Sequence, residues 1–156
     1  MTRWLNEHER AAWLKLAAVM LKLNPALDAE LQRDSGLTHF DYLTLAMLSE
    51  AEDRTRTMSE LAAIVNSSLS RLSHVVTKLE SRGWVERRPS PDSRRVTMAR
   101  LTEEGWKVVV AAAPGHVEAV RELVFDGMSE EDVAALERVA GHIAKRLEET
   151  DLKTTC

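Results

Sequence analysis

Several residue types are scarce in this chain, and each shortage excludes a class of protein. Cysteine occurs once in 156 residues, as Cys156 at the very end. No internal disulfide can form, so a reducing, cytoplasmic setting is expected, and thiol-based sensing is not. No uncharged run of membrane-spanning length is present, which argues against a membrane span. The N-terminal MTRWLNEHERAAW is charged too early and too often for a signal peptide. The five histidines, His8, His39, His74, His116 and His142, show no close pairing, no His-x-x-x-His spacing and no neighbouring thiols. No metal site and no other cofactor is therefore expected. A glycine-rich phosphate loop is missing, as is any Ser/His/acid or Cys/His set in a nucleophile setting, so the chain does not read as an enzyme. It contains neither an internal repeat nor a low-complexity tract.

Hydrophobic residues make up 44% of the chain and charged residues 29%, enough apolar content to support the core of one ordinary domain, 1–156. The net charge is −4, but it is unevenly spread. Between Arg54 and Leu101 there are ten Lys/Arg against four Asp/Glu; the rest of the chain carries eleven against twenty-one. A basic segment between acidic flanks points to a polyanion-binding module, with chance surface variation as the plainer alternative. The stretch RRPSPDSRRVTMARL, Arg87 to Leu101, concentrates five of those arginines.

Apolar periodicity predicts a first helix from Glu7 to Arg33, stopped by Gly36, with Pro25 kinking or breaking it. Its apolar residues cover more than one face, which suits burial on two sides or sharing with a second subunit. Thr38 and Asp41 form a capping box for a second helix, with Phe40, Leu43, Met47 and Leu48 as its apolar face. The segment EDRTRT reads as a polar connection. Thr57 and Glu60 cap a short helix, Met58 to Val65, and Ser67 or Ser68 caps another that runs to Arg82 and ends at Gly83. Two short helices joined by about three residues make a helix-turn-helix. The second has a buried stripe of Leu69, Leu72, Val75, Val76 and Leu79, opposite a short polar face. WVERR and VTMARL follow as strands around the turn PSPDS. Thr102 caps a long helix in which Ala113 to Gly115 signals a kink or interruption, and Ser129 with Asp132 opens a last helix.

This order of helices and hairpin, together with MSELAAIVNSSLSRLSHVVTKLESRGWVERRPSPDSRRVTMARLTEEG and then APGHVEAVRELVFDGMS, resembles the MarR family of winged-helix transcription regulators. The resemblance implies a mainly α fold with a small β-hairpin wing. It implies a winged helix-turn-helix over 38–101, flanked by helical dimerisation regions at 1–36 and 102–156. It further implies a homodimer that grips a palindromic operator in double-stranded DNA. The hairpin would be the wing, its arginines drawn to the minor groove and flanking phosphates.

On the recognition helix the resemblance places Ser68, Ser70, Arg71 and His74 near base edges, with Ser73 on the flank. Arg71 could pair bidentately with guanine, for roughly 1–3 kcal/mol of discrimination. Ser67, Thr77 and Lys78 are placed for phosphates; capping by Ser67 or Ser68 and simple solvation of Lys78 are the alternatives. The family wing carries Asp-x-Arg. By register its Asp falls on Ser93 and its Arg on Arg95, whereas here the acid is Asp92, two residues before Arg94. Either arginine could insert, with Asp92 as orienter. Trp13, Met20, His39, Tyr42, Met47 and His116 could line a cleft for a small aromatic or phenolic effector, the alternative being ordinary core packing. The function expected is a dimeric repressor released by such a ligand; the alternative is an architectural or constitutive DNA-binding protein that answers to no ligand.

Overall fold

A computed structural model describes the backbone of residues 1–154 and the side chains of residues 1–150; Cys156 lies outside the described residues. The chain forms two compact units, Met1–Ala119 and a second from Val120 onward. The first helix, α1, spans Glu7–Ser35. It is opened by a capping box between Asn6 and Glu9 and closed by Gly36 in the left-handed conformation at φ 65°. Of the kink or break expected at Pro25, the break does not occur: the helix runs through it to Ser35. The ring removes one backbone donor and no more than one intrahelical bond, a cost a 29-residue helix absorbs. Most of α1 is exposed within the chain; only Leu27, Glu30 and Leu31 are buried.

Helix α2, His39–Ser49, opens with the expected Thr38–Asp41 box. Its buried face is Tyr42, Leu45, Ala46 and Leu48, whereas Phe40, Leu43 and Met47 are only half-buried against the core. The rotation follows from Asp41 and Thr44, which are buried on the same side as Leu45 and Leu48.

The connection EDRTRT is not merely a loop. Thr55–Thr57 forms a strand, β1, whose three residues have no apolar alternation to announce it. It exists because β3, Thr97–Leu101, offers it an edge, with Thr55 opposite Arg100. Two arginine side chains anchor it. Arg56 donates to the Met47 carbonyl at the end of α2, and Arg54 bonds Glu103 while stacking on Trp106. With β2, Val85–Pro89, the sheet has the order β1-β3-β2, antiparallel throughout.

Helices α3, Met58–Ile64, and α4, Leu69–Ser81, form the helix-turn-helix, capped by Thr57 and Ser68 respectively. Leu72, Val76 and Leu79 of α4 enter the core with Leu61, Leu45 and Leu101. Leu69, expected in that stripe, is instead 53% exposed at the start of the helix. As the first residue of α4, its side chain leans back past the start of the helix.

Helix α5, Glu103–Val120, is capped by Thr102, whose Oγ1 accepts from the Gly105 N–H and donates to the Gly83 carbonyl. Of the kink or interruption expected at Ala113 to Gly115, the interruption does not occur: the helix continues through Pro114 and Gly115. The irregularity falls later, as a π-helical turn at Arg121–Phe125 in the second unit. That unit then carries α6, Glu130–Thr154, opened by the expected Ser129–Asp132 box. Val133, Leu136, Val139, Ile143 and Leu147 of α6 are all exposed within the chain.

Candidate nucleic-acid interface

The second helix of the helix-turn-helix is held by its apolar stripe with its polar face turned outward. Ser68 is the N-cap and accepts from the Arg71 N–H at 3.2 Å. Ser67 donates to the Ser68 carbonyl at 3.1 Å, so both serines are partly spent on the turn. Ser70 and His74 are exposed in the first two turns of α4. Among the described residues neither side chain has a hydrogen-bond or ionic partner, leaving both free for an external one.

The remaining outward residues are held by the chain itself. Arg71 lays its guanidinium over the Phe40 ring, 4.3 Å from the centroid. Lys78 Nζ pairs with Asp41 at 2.6 Å, and the Asp41 side chain is only 3% exposed. Asp41 also accepts from the Thr38 N–H, so a single buried carboxylate caps α2 and anchors α4. Ser73 and Thr77 are engaged by Arg87 of β2, which also pairs with Glu80. A groove of about 490 Å³ runs between α1, α2 and α4, with Asn24, Asp28, Phe40, Arg71 and Lys78 in its walls.

The arginine hairpin divides in the same way. Arg87 is tied to α4, Arg88 pairs with Glu86 at 2.6 Å, and Arg100 lies opposite Glu86 across the ladder. Arg94 and Arg95 sit at the exposed tip with no ionic partner among the described residues. Among the described residues Asp92, expected to orient one of them, forms no ion pair or hydrogen bond with either. Its backbone N–H donates to Ser90 Oγ, and the Arg95 N–H donates to Ser93 Oγ. These serine turns shape the tip.

Three of the six residues expected around a ligand come together. His39, Tyr42 and His116 form a ring cluster, with His116 4.4 Å from Tyr42 and 5.4 Å from His39 between centroids. Trp13 and Met20 are exposed farther along α1, and Met47 is half-buried against the core. Sequence reasoning missed Glu30, which is 8% exposed and reaches within 3.7 Å of His116 Nδ1. Gly115 permits that approach, since a Cβ there would lie 3.3 Å from Glu30 Oε1. A glutamate among leucines near the end of α1 was the available signal. Glu80 and Arg87 were also missed; the lone carboxylate of α4 and an arginine seven residues on were the signal for that pair. Among the described residues no group of His, Cys, Asp and Glu is arranged to hold a metal ion.

Burial of His39 lowers its pKa from the ordinary 6.5, and the neighbouring His116 adds to this, against an opposing pull from Asp28. Nδ1 of His39 lies 2.9 Å from Asn24 Oδ1. A histidine kept neutral by the fold contributes stability above its unfolded pKa and loses it as pH falls below that value. Stability is therefore expected to decline on acidification from pH 6.5, and less steeply in His39→Gln. Urea unfolding across that range measures it; identical slopes in the two proteins would refute the assignment.

A basic helix face with free polar side chains, beside a hairpin tipped by two free arginines, has the form of a winged DNA reader. The MarR family model matches residues 37–97. Sco3205 of Streptomyces coelicolor, a MarR family transcriptional regulator solved in complex with DNA, is 39% identical, with 94% of this chain and 92% of that one aligned at a TM-score of 0.91. The chain belongs to the MarR family. It is also similar to CouR of Rhodococcus jostii RHA1, solved bound to p-coumaroyl-CoA. CouR is 26% identical over 83% of this chain and 88% of that one, with a TM-score of 0.73. The transcriptional repressor MprA of Escherichia coli is 27% identical over 116 residues, which are 74% of this MarR chain but only 65% of MprA. The winged helix-turn-helix expected from the sequence is the one observed, with β1 as an added strand. No helix among the described residues is long and apolar enough to cross a membrane.

Proposed function

We propose that this MarR-family regulator is a homodimeric repressor that reads a palindromic operator through paired α4 helices and is released by a small aromatic or phenolic ligand. The observation that carries the reading is the outward face of α4, where Ser70 and His74 are free, next to the free Arg94 and Arg95. Non-specific attraction would come from neutralised phosphates and selectivity from base edges in the major groove. Arg71, resting on Phe40, needs only side-chain rotation to reach outward from the first turn of α4. Dimerisation is supported by the exposed apolar residues of α1, among them Trp13, Val19 and Met20, and by the exposed stripe of α6. The division into a reading head at 38–101 and dimerisation helices at 1–36 and 102–156 belongs to the same proposal. The His39, Tyr42, His116 cluster supports an aromatic ligand, and the CoA thioester seen on CouR is a precedent for ligand binding in a relative.

Fluorescence anisotropy on DNA from the gene's own upstream region, against a shuffled duplex and across a salt series, tests the proposal. The expected result is a steep salt slope and a preference for the native fragment that Arg71→Ala reduces by about tenfold, with addition of salicylate-like acids releasing the protein. Equal losses on both duplexes would remove base reading by Arg71. Equal affinity of the unmutated protein for both would remove sequence specificity.

A further inference from the structure

Arg87 makes more polar contacts than any other arginine of the hairpin, and all of them lead to one helix. Its Nε donates to Glu80 Oε1 at 2.7 Å, one terminal nitrogen to Ser73 Oγ at 3.0 Å and the other to Thr77 Oγ1 at 2.8 Å. The Arg87 backbone N–H adds a longer bond to Glu80 Oε2 at 3.3 Å. Residues 73, 77 and 80 lie on one face of α4 over two turns. A planar guanidinium with donors in a fixed fork can hold three such partners together; a lysine cannot. Arg87 and Glu80 are both about one-quarter to one-third exposed, at 26% and 32% of their side chains. This pairing is shielded more than the Arg88–Glu86 pair at the surface, whose side chains are 54% and 51% exposed.

Two consequences follow. Arg87 already has its charge and most of its donors satisfied, so it is poorly suited to a phosphate. Glu80, the sole carboxylate of α4, has its charge offset, so it does not oppose DNA along the helix. We propose that Arg87 and Glu80 are positioning residues that clamp the hairpin to the recognition helix, so that Arg94 and Arg95 and the outward face of α4 meet DNA as one preorganised surface. The clamp rests on the DNA-binding reading above. It lowers the ordering cost of binding by fixing the hairpin before DNA arrives.

Glu80→Gln separates the clamp from direct contact, because the two predict opposite signs. It weakens the clamp while leaving a neutral side chain of the same shape and removing a negative charge from the DNA face. If Arg87 positions, E80Q binds the operator about tenfold more weakly, despite the gain in net positive charge. If Arg87 instead touches phosphate, E80Q releases it and binds more tightly. Arg87→Lys keeps the charge and loses the fork. It is expected to weaken binding as much as Arg87→Ala does, and to have little further effect in an Arg94→Ala, Arg95→Ala background, where the hairpin tip has nothing left to place. Amide hydrogen exchange on the full-length free protein gives a readout without DNA: exchange over 90–96 accelerates in E80Q and R87K while exchange in α4 is retained. Tighter binding by E80Q, wild-type affinity in R87K, or unchanged exchange at the hairpin tip would each overturn the clamp. An unmutated protein that binds neither the native nor a shuffled duplex would instead overturn the DNA reading on which the clamp's role rests, whatever the exchange shows.

Discussion

Replacing Gly105 with alanine is expected to lower the melting temperature by about 6–12 °C, from an overpacking cost of about 3 kcal/mol. Gly105 lies in the first turn of α5, where that helix meets the hairpin. A Cβ there would overlap the Trp84 carbonyl oxygen and come within 2.6 Å of Leu101 Cδ1. The first of these is backbone and cannot swing aside. The same carbonyl accepts from the Thr102 N–H at 3.0 Å, and Thr102 Oγ1 both caps α5 and donates to Gly83. Displacing α5 would therefore disturb the cap and the end of the sheet together. Gly36→Ala supplies a calibrated comparison. Its φ of 65° strains an alanine, but a Cβ would meet nothing within 4 Å, so about 1 kcal/mol is expected. Thermal unfolding of both variants decides the matter: equal shifts, or none at Gly105, would show that the junction yields more easily than its geometry implies.

The largest effect on DNA binding is expected from the second unit, far along the chain from the reading head. Leu136→Asp together with Ile143→Asp should convert the proposed dimer into a monomer and weaken operator binding by about 100-fold or more, because two linked heads gain through effective concentration what one head lacks. Leu136, Ile143 and Leu147 recur at helical spacing on α6 and are exposed within the chain. Both side chains lie at the surface of the single chain, and aspartate is tolerated on an exposed helix face, so helical content should survive. Light scattering at micromolar concentration and anisotropy on the operator measure the two halves of the expectation. A dimer that persists in the double variant would place the association surface elsewhere; a monomer with undiminished affinity would show that one head suffices.

The features legible in the sequence are those settled within a few residues. Three capping boxes, Thr38–Asp41, Thr57–Glu60 and Ser129–Asp132, were readable because a side chain and an N–H three residues away close the same turn in any context. The Asn6–Glu9 box had the same signal. Helix order, the hairpin and the stripe of Leu72, Val76 and Leu79 followed from periodicity, which depends only on the repeat of the element. The family resemblance, carried by the stretch from Met58 to Gly105, added the winged-helix architecture that the comparisons bear out.

Tertiary structure decided which of the outward side chains are free. Lys78 and Asp41 are 37 residues apart and Arg71 and Phe40 are far apart as well, so no local pattern shows that two cations of the recognition helix are held by α2. β1 has no pattern of its own and forms because β3 leaves an edge open. Leu69 belongs to the stripe by periodicity but begins its helix beyond the reach of the core, and Glu30 is buried because Gly115 makes room for it. Sequence alone therefore determined the kind of surface this protein carries, through local caps and helical repeats whose energetics are complete within a turn or two. The allotment of charges on that surface, some spent on holding the fold and others left for a partner, depends on distances between elements that only packing sets.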